Sequence, residues 1–256
     1  MNGIGTWARQ VVWEQRQFWR NPGSAAFTFA FPLVFLVVFI ELNGNDRIHL
    51  AGGTVKFAQF YVPAIVAFGL ISASYTNLAF TLSIRRDNGI LKRVRSTPLS
   101  PGVYLAGIGG NVAVTSTILT LLVTVLGVTA YGVTFPNRYL GLIVVLVVGA
   151  FCFGSIGALV ATLVPNEDAA AAMINFVLFP VLFISGTFGR VQATSTVGRI
   201  AQVFPVWHLN QLLEAVFNPY ASGTGLVAGH LAVLALWGVG ALALATRRFR
   251  WEPSRT

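Results

Sequence analysis

Six stretches of this chain contain no Asp, Glu, Lys or Arg: residues 21–40, 57–84, 102–137, 139–166, 169–189 and 215–246. A bilayer core is about 30 Å thick, and an α-helix rises about 1.5 Å per residue, so about 20 apolar residues cross it. Each stretch is long enough for one crossing. The 102–137 run is long for a single helix, and its end, YGVTFPN (131–137), reads as a turn. The expected fold is an all-α membrane protein: six transmembrane helices in one domain over residues 1–256, an N-terminal amphipathic interfacial helix, and a short extracellular helical hairpin between helices five and six. Composition agrees, with 55% hydrophobic and 10% charged residues, against about 25% charged in a soluble domain. The first run is not read as a cleaved signal peptide, because residues 1–20 precede it and IELNGNDR after it offers no small-x-small site.

The charges sit in short blocks beside the apolar runs. With the N-terminus inside, the cytoplasmic segments hold twelve Lys and Arg and the outer segments five. That asymmetry, with the even number of spans, predicts a multi-pass protein of the cytoplasmic membrane with both termini cytoplasmic. The net charge of +9 then reads as topology signal and contact with anionic lipid. No basic domain lies outside these blocks, so nucleic acid is not an expected partner. One cysteine, Cys152, and three scattered histidines exclude an internal disulfide framework and a Cys/His metal cluster. No G-x-x-x-x-G-K-[ST] loop and no HExxH occur, so neither ATP nor a catalytic metal has a motif to hold it. The only acidic residue in the spans is Glu41, at the end of the first. Proton- or sodium-driven carriers usually place ionisable groups or broken helices mid-membrane, so the lack of acidic residues weakens a secondary-transporter reading.

Three segments lie outside the spans. Within residues 1–22, Arg9, Arg16 and Arg20 fall in an arc of about 40° at 100° per residue, opposite Ile4, Trp7, Val11 and Phe18. With Trp13 and Trp19, these aromatics and cations suit a helix lying at headgroup depth. The second segment, RRDNGILKRVRSTPLSP (85–101), carries five Arg or Lys in its first eleven residues. Asp87 or Asn88 is placed to cap a short helix. Ile90, Leu91 and Val94 fall on one face of it, Lys92, Arg93 and Arg95 on the other, and Pro98 and Pro101 end it. An apolar face with cations suits docking into a partner's groove; a solvated basic loop is the alternative. The third segment, residues 190–225, has Val197, Ile200 and Phe204 at helical spacing. After Pro205 a second pattern runs through Trp207, Leu212, Leu213 and Val216. Neither piece is long enough to span, so a re-entrant or surface hairpin is expected.

Polar residues also occur inside the spans. Ser74, Asn77 and Thr81 share a face of the second, and Asn175 sits in the fifth with Phe176 and Phe179. They read either as interhelical hydrogen bonding or as a substrate-facing lining of aromatic walls and polar anchors.

This layout resembles the membrane subunit of ABC-2 type exporters, close to the daunorubicin-resistance permease group. The resemblance covers essentially the whole chain. It is carried by the amphipathic N-terminal helix, GILKRVRSTPLSP (89–101), PNEDAAAAMINFVLFPVLFISGTF (165–188) and VFPVWHLNQLLEAVFNP (203–219). It implies that the 85–101 loop is a coupling helix seated in a cleft of a separate nucleotide-binding subunit. Its contact set would be Gly89, Leu91, Lys92, Arg93, Arg95, Thr97, Pro98 and Leu99. ATP and Mg would then bind on that ATPase partner, with no cofactor in this chain, and a second membrane subunit, identical or a sister, would complete the transporter. One departure is RVQATSTVGRI (190–200), where many relatives have a Pro-rich pattern. The expected function is export of an amphipathic or hydrophobic substrate, a drug or a lipid. The alternative is a six-span protein without an ATPase partner, a channel or an assembly factor.

Overall fold

The protein is described from a computed structural model, which covers residues 3–50, 52–97, 99–189, 191–221 and 223–248. Six helices in it are long and apolar enough to cross a membrane. An N-terminal helix α1 (Gly3–Trp19) leads into the first span, α2 (Pro22–Asn43). The second span combines α3 (Phe57–Ile71), a π-helical turn (Ser72–Thr76) and α4 (Asn77–Asp87). A short helix α5 (Ile90–Arg95) turns the chain into the third and fourth spans, α6 (Pro101–Tyr131) and α7 (Tyr139–Leu163). The fifth span, α8 (Glu167–Ile184), is followed by α9 (Thr196–Ala201), α10 (Pro205–Phe217) and the last span, α11 (Ala228–Arg248). The uncharged run 215–246 is therefore shared between the end of α10, a loop and α11.

Because successive spans alternate in direction, α1 and α5 lie at one end of the bundle, here called the terminal face. The 43–57 and 131–139 connections and α9–α10 lie at the other, the hairpin face. The second span is the central one: 83% of its most apolar stretch is buried, against 22–44% in the other five. Tyr61, Val62, Ile65, Val66 and Ile71 are fully enclosed along it. Its π turn bulges against α7, and a Cβ at Gly157 would stand 2.5 Å from the Tyr75 carbonyl oxygen. Glycine there permits the close approach, which suits membrane helices that gain stability from packing rather than from water exclusion. The Tyr75 hydroxyl crosses to α8 and donates to the Ile174 carbonyl at 2.9 Å.

The hairpin face is knitted by polar groups to backbone. Residues 47–56 form an antiparallel ribbon of β1 (Arg47–Leu50) and β2 (Gly53–Lys56), which periodicity did not predict. The Tyr220 hydroxyl donates to the Thr54 carbonyl at 3.0 Å. Gln59 donates to the Phe217 carbonyl at 2.7 Å and accepts from the Thr134 N–H at 2.7 Å. Arg138 donates to the carbonyls of Val216 (3.3 Å), Asn218 (2.7 Å), Gly223 (3.0 Å) and Ala221. It thereby ties the last turn of α10 to the loop that follows it. The second element of the expected hairpin, α10, is buried on most sides and packs among α3, α7 and α11. His208 on α10 and His230 on α11 approach Nδ1 to Nδ1 at 2.7 Å.

Candidate functional site

The terminal-face corner at residues 85–99 concentrates the chain's buried charge. Four consecutive residues at the end of α4 tie it to α1, α6, α7 and α8. Arg85 forms a bidentate pair with Glu14 of α1, Nη1–Oε1 at 2.9 Å and Nη2–Oε2 at 2.7 Å. It also donates to Gln17 and to the Tyr104 hydroxyl, both at 2.7 Å. Its guanidinium lies 5.8 Å from the Trp13 ring and 5.7 Å from the Tyr104 ring. Arg86 turns to α7 and donates to the carbonyls of Ala161 (2.9 Å) and Val164, the end where a cation meets the negative pole of the helix. Asp87 accepts from the Glu167 N–H at 2.7 Å, at the first turn of α8. Asn88 donates to the Glu167 carboxylate at 3.2 Å. Asp87 thus accepts from the first N–H of α8, whose N-cap is Asn166, and neither Asp87 nor Asn88 caps α5 as the sequence suggested. The α5 helix starts instead at Gly89, with no side-chain cap, and its φ of 66° is the left-handed geometry that favours glycine.

From this hub α5 is laid against its own domain. Leu91 is fully buried in a small cluster with Leu82, Tyr104, Ile108 and Ala161, and Val94 and Leu99 pack at its edge. Lys92, Arg93, Arg95 and Thr97 are exposed. Within the single chain Leu91 therefore faces inward, where the resemblance implied a contact with a partner. The apolar face of α5 is used to fix the helix, and the open side is a cationic ridge. Gly89 is half-buried, and Pro98 lies outside the described residues.

The N-terminal helix also differs from a simple lipid-facing one. Arg9, Arg16 and Arg20 are exposed as expected. The opposite side meets α6: the Trp7 indole N–H donates to the Ala106 carbonyl at 3.0 Å, and Val11 lies where a Cβ at Gly110 would be. Trp13 and Trp19 are each half exposed, and Trp19 stacks on Phe29 of α2 at 5.4 Å. Glu14, at 3% exposure, was not singled out from sequence, although at 100° per residue it falls on the arc of Trp7 and Phe18. A lone acid on an apolar arc, with an Arg-rich block to pair with, was the available signal.

The intramembrane polar set is only partly assembled. Ser74 is buried and donates to the Leu70 carbonyl of its own helix at 2.5 Å. It lines no open surface here. Thr81 donates to Asn77 Oδ1 at 3.1 Å, and both are half-buried. Asn175 is half-buried on α8, while Phe176 (80% exposed) and Phe179 (39%) point out of the single chain. Within one copy, the aromatics of α8 do not form a wall around the asparagines.

Comparison with known proteins agrees with this architecture. The family model described as "ABC-2 family transporter protein" matches residues 43–247. Nodulation protein J of Neorhizobium galegae is 22% identical over 220 residues, covering 84% of this chain and 80% of that protein. With six membrane-length helices and a family match over most of its length, this chain belongs to the ABC-2 family of transporter proteins and is a multi-pass membrane component of a transporter.

Proposed function

We propose that the chain is the transmembrane subunit of an ATP-binding cassette exporter that moves an amphipathic or hydrophobic molecule out across the cytoplasmic membrane. ATP and Mg belong to a separate nucleotide-binding subunit docked on the terminal face, which is the cytoplasmic one. A second membrane subunit, a copy or a sister chain, faces the exposed aromatics of α8. The substrate enters between the two subunits past Asn77, Thr81 and Asn175. Uncharged spans favour such a cargo, because an ion would need a paired charge that they lack.

One observation carries the reading: the ridge of Lys92, Arg93 and Arg95 stands on a helix that is itself bolted to the bundle. Leu91 fixes it from below. The neighbouring Arg85, Arg86 and Asp87 hold α1, α6, α7 and α8. A load applied to the ridge reaches four elements through short, charge-assisted bonds. A surface loop would absorb such a load by bending.

The test replaces Lys92, Arg93 and Arg95 with Glu in the full transporter. Membrane insertion should be retained and co-purification of the ATPase subunit lost. A variant that still recovers its ATPase and exports normally overturns the docking assignment.

A further inference from the structure

His208 and His230 stand 22 positions apart in the sequence, and no metal-binding spacing joins them there. The fold brings them together on the hairpin face. Each lies in the first turn of its helix, His208 on α10 and His230 on α11. The rings approach Nδ1 to Nδ1 at 2.7 Å, with centroids 4.9 Å apart. His208 is 8% exposed. His230 is half-buried and follows three exposed residues, Val227, Ala228 and Gly229. The pair is therefore approached from the surface along its His230 side.

The hydrogens of the pair follow from its surroundings. Nε2 of His208 lies 2.8 Å from the Gln202 carbonyl. A carbonyl only accepts, so in the neutral pair that nitrogen carries the hydrogen and Nδ1 of His208 holds a bare lone pair. His230 supplies the hydrogen between the rings. Histidines that ligate metals share this arrangement: one ring nitrogen donates to a carbonyl, which fixes the tautomer and aims the other nitrogen at the ion. The frame around the pair is tied down. The Gln202 N–H donates to the Gly198 carbonyl at 3.0 Å, and its side chain donates to the Ala193 carbonyl at 2.9 Å. The Trp237 indole N–H of α11 donates to the Val203 carbonyl at 3.1 Å. The carbonyl that orients His208 and the helix that carries His230 are thus held to one turn.

We propose that His208 and His230 bind a nitrogen-preferring divalent transition-metal ion, Zn2+, Ni2+ or Cu2+, between their Nδ1 atoms. The hydrogen between the rings shifts to His230 Nε2, so both Nδ1 lone pairs face the ion and both rings stay neutral. Two Zn–N bonds of about 2.0–2.1 Å at a tetrahedral angle set the nitrogens about 3.3 Å apart. The rings then part by about 0.6 Å from their present 2.7 Å. Among the described residues no third His, Cys, Asp or Glu completes the group, so water fills the other positions. Both histidines stand at the positive end of a helix, which opposes a loosely held cation. Oxygen-preferring Mg2+ and Ca2+ therefore do not suit the site. An ion held here cross-links α10 to the last span. The binding does not depend on an ATPase partner or on export.

The experiment titrates Zn2+ into the full chain, free of any histidine tag, in zwitterionic lipid nanodiscs. Calorimetry reads the binding, and Co2+ serves as a spectroscopic substitute. One ion should bind per chain, and Co2+ should show the visible bands of a nitrogen-ligated site. Zn2+ should slow hydrogen exchange of the amides of residues 228–232, which locates the ion in the wild-type protein even where a variant fails to fold. His230→Gln keeps an N–H to face His208 but offers no imidazole; it and His208→Gln should each weaken binding at least ten-fold. His49→Gln, in the β1–β2 ribbon, should bind as wild type does. The proposal fails if Zn2+ does not bind, if both glutamine variants of the pair bind it as wild type does, if exchange slows elsewhere and not at 228–232, or if Mg2+ displaces it at equal concentration. Loss of ATPase recovery in the Lys92, Arg93 and Arg95 variant concerns the export reading alone and leaves this binding intact.

Discussion

Glu14 and Arg85 show why single residues at the terminal face matter more than their number suggests. Both are more than nine-tenths buried and share two hydrogen bonds. Removing one member of such a pair leaves a bare charge and costs about 3–5 kcal/mol, whereas replacing both with apolar residues of similar volume is close to neutral. Glu14→Ala should therefore lower the melting temperature of the purified protein sharply, and the double variant Glu14→Leu/Arg85→Met should recover most of the loss. Equal losses in the single and double variants would reject an energetically coupled pair. Arg86→Ala, which frees the carbonyls of Ala161 and Val164, should cost about 1.5–3 kcal/mol per hydrogen bond to the charged group, measured by the same melt. Neither role is visible in a count of basic residues. In the sequence these arginines serve as topology signals; in the structure they are also fasteners.

The short helix α5 shows the same division at the level of an element. Its cationic ridge follows from spacing, and so does its apolar face. What spacing leaves open is what the apolar face touches, and here it is the chain's own α4, α6 and α7. Leu91→Ala should cost about 2–5 kcal/mol as a cavity-forming change. Hydrogen exchange of the 90–97 amides should accelerate in that variant. The Lys92, Arg93 and Arg95 to Glu variant should leave that exchange unchanged while it loses the ATPase. Accelerated exchange in both would mean that the ridge, too, holds the helix in place. The β1–β2 ribbon was not anticipated for a related reason. Its strands are four residues each, and they are backed by Tyr220, whose hydroxyl reaches Thr54 across 166 positions of chain. Local propensity in so short a ribbon is weak beside such a contact. The π turn at Ser72–Thr76 likewise depends on its facing partner, Gly157 of α7.

At the scale of the whole molecule, the span count and the pairing of both ends on one face follow from hydropathy. Charge asymmetry predicts that the terminal face is cytoplasmic, an expectation open to direct test. Cys152 is buried, so single reporter cysteines can be placed in its serine background. An impermeant maleimide added to intact cells should label Asn137→Cys on the hairpin face. It should reach Arg95→Cys only after permeabilisation. The reverse pattern would overturn the orientation and with it the docking of an ATPase at α5. For the path, Asn77→Leu and Asn175→Leu should alter which compounds are expelled without lowering expression. Unchanged export across a compound panel would return both residues to plain packing.

The sequence alone determined the number of crossings, the amphipathic entry helix, the cationic corner and the family, because each is a local property: run length, periodicity or contiguous motif. Only the tertiary structure decided that Leu91 turns inward, that Asp87 serves α8, that Glu14 meets Arg85, and that His208 meets His230. Each of these depends on which distant segments share a boundary. Such boundaries are set by packing among helices that are nearly uniform in hydropathy, where the linear pattern carries little information about partners.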